Sequence, residues 1–200
     1  MYDYRKMTAA QRAEVLEDRK KRHLPWHAPP HGAPGAHNRY LITAACYEHR
    51  AVIGESPARM TSCEEGLLST CRSFGAEISA WCILPNHYHV LVKTARLKEL
   101  SKELGEFHGR SSYAWNDEEN CRGRTVWHRC HDRRIRSERH FWATVNYVHH
   151  NPVYHGLVEK WQDWPWSSAR EFLESVGREE AARIWEEYPI LDYGKKWDIY

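Results

Sequence analysis

The chain lacks any run of eighteen apolar residues, and so lacks the signature of a membrane-crossing helix. It also lacks paired cysteine arms. Cys46, Cys63, Cys71, Cys82, Cys121 and Cys130 form no Cys-x-x-Cys, and the local cluster of Cys121, His128, Cys130 and His131 departs from the usual zinc spacings. In a reducing compartment these read as free thiols, several of them buried. The first stretch, MYDYRKMTAAQRAEVLEDRKKRH, has no apolar centre of the kind a secretory signal needs, and the expected location is the cytoplasm. An excess of one charge sign is missing too. Lys+Arg number 29 against 27 Asp+Glu, a net charge of +2, so overall charge does not announce a nucleic-acid partner. No internal repeat appears, and the one biased tract is the Pro-, Gly- and His-rich HLPWHAPPHGAPGAHN at residues 23–38. Its composition forbids regular structure and predicts an extended connector.

What is present suits one soluble globular domain with extensions. The chain has 200 residues, 42% hydrophobic and 28% charged. Aromatic residues are plentiful, with 10 Trp and 11 Tyr; some must be core, and exposed ones offer stacking surfaces for unpaired bases. Charge is uneven along the chain. Arg122, Arg124, Arg129, Arg133, Arg134, Arg136 and Arg139 face only Asp132 and Glu138 in the same interval, and the tail after Val158 is acidic. That asymmetry suggests one phosphate-binding face; a solvated arginine-rich loop is the plainer alternative.

Hydrophobic periodicity and turn residues predict the elements in order. A polar helix covers 8–21, with Thr8 as N-cap and Gln11 at capping-box spacing. A strand follows at Tyr40–Tyr47, then a short one at Ala51–Ile53. Ser56 caps a helix that has Pro57 in its first turn and ends at Phe74 before Gly75. Strands are expected at Glu77–Leu84 and His87–Lys93. A helix over Leu97–Trp115 is weakened by Gly105 and Gly109 and open to a split there. A polar loop leads to a last short strand at Thr125–Trp127. A helix over Glu138–His150 is ended by Asn151-Pro152. Ser167 or Ser168 caps a helix to about Val176, Glu179–Glu187 is helical, and the last dozen residues are irregular. The order strand, helix, strand, strand, helix, strand is that of an α+β, ferredoxin-like antiparallel sheet with helices on one face. The expected divisions are an N-terminal helix and connector at 1–37, a catalytic domain at 38–158 and a C-terminal helical extension at 159–200.

Two stretches carry chemistry. The first is Trp81–Thr94, WCILPNHYHVLVKT. Side chains two apart on a strand share a face, so His87 and His89 point one way while Tyr88, Val90 and Val92 point the other, into the core. The plain reading is a pair of surface histidines on an open sheet face. Side by side on a rigid strand, however, two imidazoles can hold a metal ion. The second stretch is NYVHHNPVYHGLV at 146–158. Tyr147 and Asn151 are four apart and lie one above the other on a helix. Taken alone, Tyr147 reads as a core tyrosine and Asn151 as a helix-end residue. Taken with the histidines, the four suggest a divalent-ion site: His87, His89 and the Asn151 carbonyl as ligands for Mg²⁺ or Mn²⁺ at a phosphodiester, with the Tyr147 hydroxyl as nucleophile. A phenol, with a pKa of about 10, is both a competent nucleophile as phenolate and a good leaving group. The bond energy of a cut strand is then kept for rejoining.

These stretches, with GRTVWHR and WPWSSA between and after them, closely resemble the single-tyrosine HUH-type transposases, and among them the REP-associated tyrosine transposases, over about Asn38–Glu174. The resemblance implies a ferredoxin-like fold, His87 and His89 as the metal pair, Asn151 as third ligand, and Tyr147 forming a 5′-phosphotyrosine on single-stranded DNA. It also implies REP-like hairpins as substrate. Tyr88 stands where many members carry an aliphatic residue, and the connector before Tyr40 matches no family motif. Candidate hairpin contacts are Arg129, Arg133, Arg134, Arg136 and Trp127; His128, His149 and His150 lie near the site by sequence, His150 read as solvated and His149 left open. A monomer is expected, with a homodimer as alternative. The competing readings are a binding module that holds DNA or RNA hairpins without chemistry, and a nuclease that uses water.

Overall fold

The computed structural model describes Thr8, Ala10, Glu17, residues 38–191 and Tyr193. The described residues fall in two units divided between Gly35 and Ala36. The first contributes only Thr8, Ala10 and Glu17, of which Ala10 and Glu17 are helical. The rest of the helix expected at 8–21, and the connector, lie outside the described residues.

The second unit has the expected order: β1 (Arg39–Ala45), α1 (Pro57–Ser73), β2 (Glu77–Ile83), β3 (His87–Lys93), α2 (Leu97–Glu118), β4 (His131–Arg134), α3 (Glu138–Tyr154), α4 (Ala169–Val176) and α5 (Arg178–Glu187). The four strands form one sheet in the order β2-β3-β1-β4, all pairs antiparallel. Local chemistry sets the ends. Ser56 accepts a hydrogen bond from the Arg59 amide, with Pro57 in the first turn of α1. Ser137 caps α3 in the same way through His140. No described helix is long and apolar enough to cross a membrane.

The two faces of the sheet carry separate cores. Tyr40, Ile42, Ala44, Ile83, Tyr88, Val90 and Val92 pack with Leu67 of α1 and Leu100 and Leu104 of α2. On the opposite face Leu41, Ala80, Cys82, Leu84 and Leu91 pack with Phe141, Val145, Tyr147 and Val148 of α3. The face expected to be open is therefore covered by the helix that bears the tyrosine, and β3 is buried on both sides. The physical reason is Leu91: it continues the histidine side of β3 with an apolar residue, which needs a cover.

Other boundaries also move. The helix α2 is not split; it runs through Gly105 and Gly109 to Glu118. Burial of Leu97, Leu100, Leu104, Phe107 and Trp115 outweighs a glycine cost of about 1 kcal/mol each, and Arg59 of α1 ties its end through Glu118 at 2.7 Å and Glu119 at 2.6 Å. Residues Ile53–Glu55 form a 3-10 turn instead of a strand; Ile53 is buried, and the Gly54 amide bonds Pro85 O at 2.8 Å. The expected strand at Thr125–Trp127 is one isolated bridge, Trp127 to Cys46, and the fourth strand is His131–Arg134, inside the arginine-rich segment. Finally, α3 does not stop at Asn151-Pro152. It carries Pro152 in its last turn and continues to Tyr154. Proline forfeits one hydrogen bond there, and a Schellman closure offsets it: Leu157 N bonds Pro152 O and Gly156 N bonds Val153 O, each at 2.9 Å. Gly156 takes the required left-handed conformation, at φ 67°.

The segment WPWSSA runs along the free edge of β2. Ile83 N bonds Trp166 O at 2.8 Å, Ser168 N bonds Trp81 O at 3.0 Å, and the Trp164 indole donates to Ile83 O at 2.8 Å. It satisfies backbone groups that a bare edge would leave exposed. Ser168 Oγ also meets His149 Nε2 of α3 at 2.9 Å. The C-terminal helices belong to the same unit as the sheet.

Candidate active site

Register brings the chosen side chains together. On β3, His87 lies opposite Ala45 and His89 opposite Thr43, so both rings face α3. Tyr147 and Asn151, one turn apart on α3, face back. The His89 Nε2 to Tyr147 hydroxyl distance is 3.4 Å, and His87 Nε2 stands 3.3 Å from Asn151 Oδ1. The two histidine rings are 4.9 Å apart by centroid. All four residues are buried, Tyr147 at 6% exposure.

The outer nitrogens of both rings are held. His87 Nδ1 donates to Asn86 Oδ1 at 2.7 Å, and the Asn86 amide is itself oriented by donating to His49 O at 3.0 Å. His89 Nδ1 lies 2.7 Å from Thr43 Oγ1. With its ring proton on Nδ1, a neutral His87 presents the Nε2 lone pair to the space between β3 and α3, and His89 turns its Nε2 the same way. His87 Nε2 stands beside the Asn151 carboxamide, whose Nδ2 is buried with no partner among the described residues. A buried amide without a partner costs free energy by itself, and two imidazoles beside a carboxamide oxygen are a donor set that fits a cation. Ligands of an octahedral Mg²⁺ at about 2.1 Å stand roughly 3 Å apart, close to the separation of His87 Nε2 and Asn151 Oδ1. Among the described residues no three ionisable side chains form a metal cluster; the third donor here is an amide.

Comparison with known proteins gives the family. The family model described as "Transposase IS200 like" matches residues 37–151. The chain belongs to the IS200-like transposase family. It is similar to a putative REP-associated tyrosine transposase of Haemophilus influenzae, 31% identical over 61% of this chain and 73% of the relative. It is also similar to the REP-associated tyrosine transposase of Escherichia coli K12, 29% identical over 46% of this chain and 53% of the relative. A REP-associated tyrosine transposase solved bound to a REP hairpin shares the fold, with a TM-score of 0.51 at 20% identity over 67% of this chain and 78% of that one.

As a transposase of this family, the chain has surroundings to its site that the sequence reading did not supply. Thr43 and Asn86 orient the two rings, yet Thr43 lies 46 residues from His89 and no local motif marks it. His155 packs against His87, with centroids 5.2 Å apart; its only sequence signal is that it stands four residues beyond Asn151. Tyr193, in a tail expected to be irregular, packs edge-on against Tyr147 at 5.4 Å. Its hydroxyl lies 2.8 Å from Thr144 Oγ1 and 3.2 Å from His140 Nε2, and burial raises its pKa above that of a free phenol.

The five candidate DNA contacts separate. Arg133 pairs with Leu41 and faces the histidine side. Burial lowers its pKa, and the phenols of Tyr193 and Tyr147 act in the opposite sense. Arg134 pairs with Tyr40 and faces the opposite side. Arg129 and Arg136 are exposed in the segments before and after β4. Trp127 is not an open stacking surface: its ring stacks on His108 at 4.4 Å, lies 5.7 Å from Tyr88, and its indole N–H donates to Ser111 at 2.9 Å. It seals the α1/α2 core. His149 is buried and its pKa falls to about 3 through desolvation; it joins α3 to Ser168. His150, expected to be solvated, is half-buried against Trp185.

Proposed function

We propose that this transposase is a metal-dependent single-stranded DNA endonuclease and strand transferase, acting on palindromic hairpin DNA through a 5′-phosphotyrosine on Tyr147. The observation that carries the reading is the meeting, within one chain, of the Tyr147 hydroxyl with His89 Nε2 at 3.4 Å and of Asn151 Oδ1 with His87 Nε2 at 3.3 Å. His87, His89 and Asn151 would hold Mg²⁺ or Mn²⁺. The ion's contribution is to polarise the phosphoryl oxygen and offset the charge that develops on it.

The remaining chemistry belongs to the protein. Tyr147 Oη bonds to phosphorus and the P–O3′ bond breaks. The phenol loses its proton and the departing 3′-oxygen gains one. The downstream strand is left on Tyr147 through its 5′-phosphate, and a 3′-hydroxyl reverses the step. Thr43 and Asn86 hold the imidazoles in register. Arg133, on the same face, supplies a fixed positive charge for a phosphate. Arg129, Arg134 and Arg136 remain candidates for the hairpin backbone. The hairpin-bound fold relative supports the substrate class. We assign the protein to the cytoplasm and, because the site is complete in one chain, to a monomer.

A binding module without chemistry has no need of two imidazoles, a phenol and a carboxamide gathered at one buried point. The test is incubation with single-stranded hairpin oligonucleotides from the flanks of the gene, plus Mn²⁺, followed by a denaturing gel. A covalent adduct in the wild type that is absent in Tyr147→Phe, with hairpin binding kept, is the expected result. Adducts that persist in that variant reject Tyr147. Free 5′-phosphate ends without adduct point to a water-using nuclease.

A further inference from the structure

We infer that Tyr154 is a nucleobase platform of the site, on which a base next to the scissile phosphate stacks. The inference rests on the DNA-cleaving reading above. Tyr147, Asn151 and Tyr154 stand at i, i+4 and i+7 on α3, one face of the helix. A file of rings leads outward along that face. From Tyr147 to His89 is 5.1 Å by centroid, His89 to His87 4.9 Å, His87 to His155 5.2 Å and His155 to Tyr154 5.1 Å. The file starts buried and ends in solvent: Tyr147 is 6% exposed and Tyr154 64%.

An exposed tyrosine is ordinary by itself. Tyr113 is as exposed, but the Arg122 guanidinium covers its ring at 4.4 Å. Tyr154's one ring contact among the described residues is His155, and Leu157, also exposed, follows three residues on. The Schellman closure at Gly156 fixes this helix end, so the ring is presented by rigid backbone. A phosphodiester seated at Tyr147 must carry its flanking nucleotides out of the buried site. The bases of a single strand expose apolar faces, and aromatic rings beside such a path bind them by stacking, whatever the sequence. The occupant is therefore an unpaired base of the substrate strand.

The test uses the full chain carrying Tyr147→Phe, so that the strand stays uncut, and a hairpin oligonucleotide with single-stranded flanks on both sides. Tyr154→Ala is expected to weaken binding roughly tenfold, with Tyr154→Phe and Tyr154→Trp restoring it. A 2-aminopurine moved one nucleotide at a time through the flanks should be quenched at one position beside the cleavage point, and that quenching should vanish in Tyr154→Ala alone. Unchanged affinity and quenching in Tyr154→Ala overturn the platform while leaving cleavage at Tyr147 intact. In the otherwise wild-type chain, loss of the covalent adduct in Tyr154→Phe also overturns it, since stacking needs no hydroxyl. A chain that binds no hairpin at all overturns both the platform and the DNA-cleaving reading.

Discussion

Thr43 shows how a single side chain can set the chemistry of a site it does not enter. Its hydroxyl, 2.7 Å from His89 Nδ1, ties down the outer nitrogen of the ring and leaves Nε2 turned toward the site. Groups that orient a ligand in this way typically matter 10- to 100-fold in metal affinity. Thr43→Val should therefore weaken Mn²⁺ binding by about that factor at nearly unchanged stability, as read by an electron paramagnetic resonance titration; unaltered affinity would show that the ring is oriented otherwise. On the other face of β3, Tyr88 hydrogen-bonds His108 Nε2 at 3.0 Å. Desolvation lowers the His108 pKa to about 4, against about 6.5 for an unfolded histidine. Below pH 6.5 the unfolded chain takes up a proton that the folded one refuses, so stability falls with pH between about 6.5 and 4, by up to about 1.4 kcal/mol per unit. His108→Gln keeps a hydrogen-bonding group and removes the titration. Urea unfolding across that range should be flatter in the variant, and equal slopes would exclude His108 as the cause.

At the scale of elements, the turn that delivers His87 is clamped from outside the strands it joins. Cys46 N bonds Asn86 O at 2.7 Å and Gly54 N bonds Pro85 O at 2.8 Å. Gly54 lies so close that a Cβ there would fall 2.5 Å from Pro85 Cβ and 2.9 Å from its Cα. Gly54→Ala must push the turn away, at a cost of about 1–3 kcal/mol for overpacking, and should loosen Mn²⁺ binding because His87 moves with the turn. Calorimetry with and without Mn²⁺ separates the two effects; a variant as stable as the parent would mean that the 3-10 turn gives way instead. The same scale explains α3. Its sequence announces an end at Asn151-Pro152, while the closure at Gly156 keeps both residues helical, and Asn151 faces His87 only because the helix goes on.

For the whole molecule, the decisive feature is that one chain supplies both halves of the site. Tyr147 reaches His89 over 58 residues of its own sequence, on a helix held to the sheet edge through His149 and Ser168. A mixture of His89→Ala and Tyr147→Phe chains is therefore expected to form no covalent DNA adduct, since neither can complete the other. Adduct formation in the mixture would mean that α3 is exchanged between copies. The two cores make the same point energetically: α3 buries Phe141, Val145 and Val148 against Leu41, Cys82 and Leu91, and exposing that surface for an exchange would cost several kcal/mol at about 25 cal/mol per Å².

Much of this was legible along the chain, because some physics is local. Strand alternation put His87 and His89 on one face and Tyr88 on the other. Helical spacing put Tyr147 over Asn151, and Ser56-Pro57 marked a helix start. Contacts between distant segments were not legible. Thr43 beside His89, Tyr193 over Tyr147, Trp127 packed against a core and α3 closed over a face that reads as open depend on which surfaces the chain must bury. The periodicity of β3 and α3 determined which residues point together, since backbone geometry alone sets that. Which of them meet, and which are hidden, only the packing of two cores on one sheet decided, since burial is a property of the folded whole.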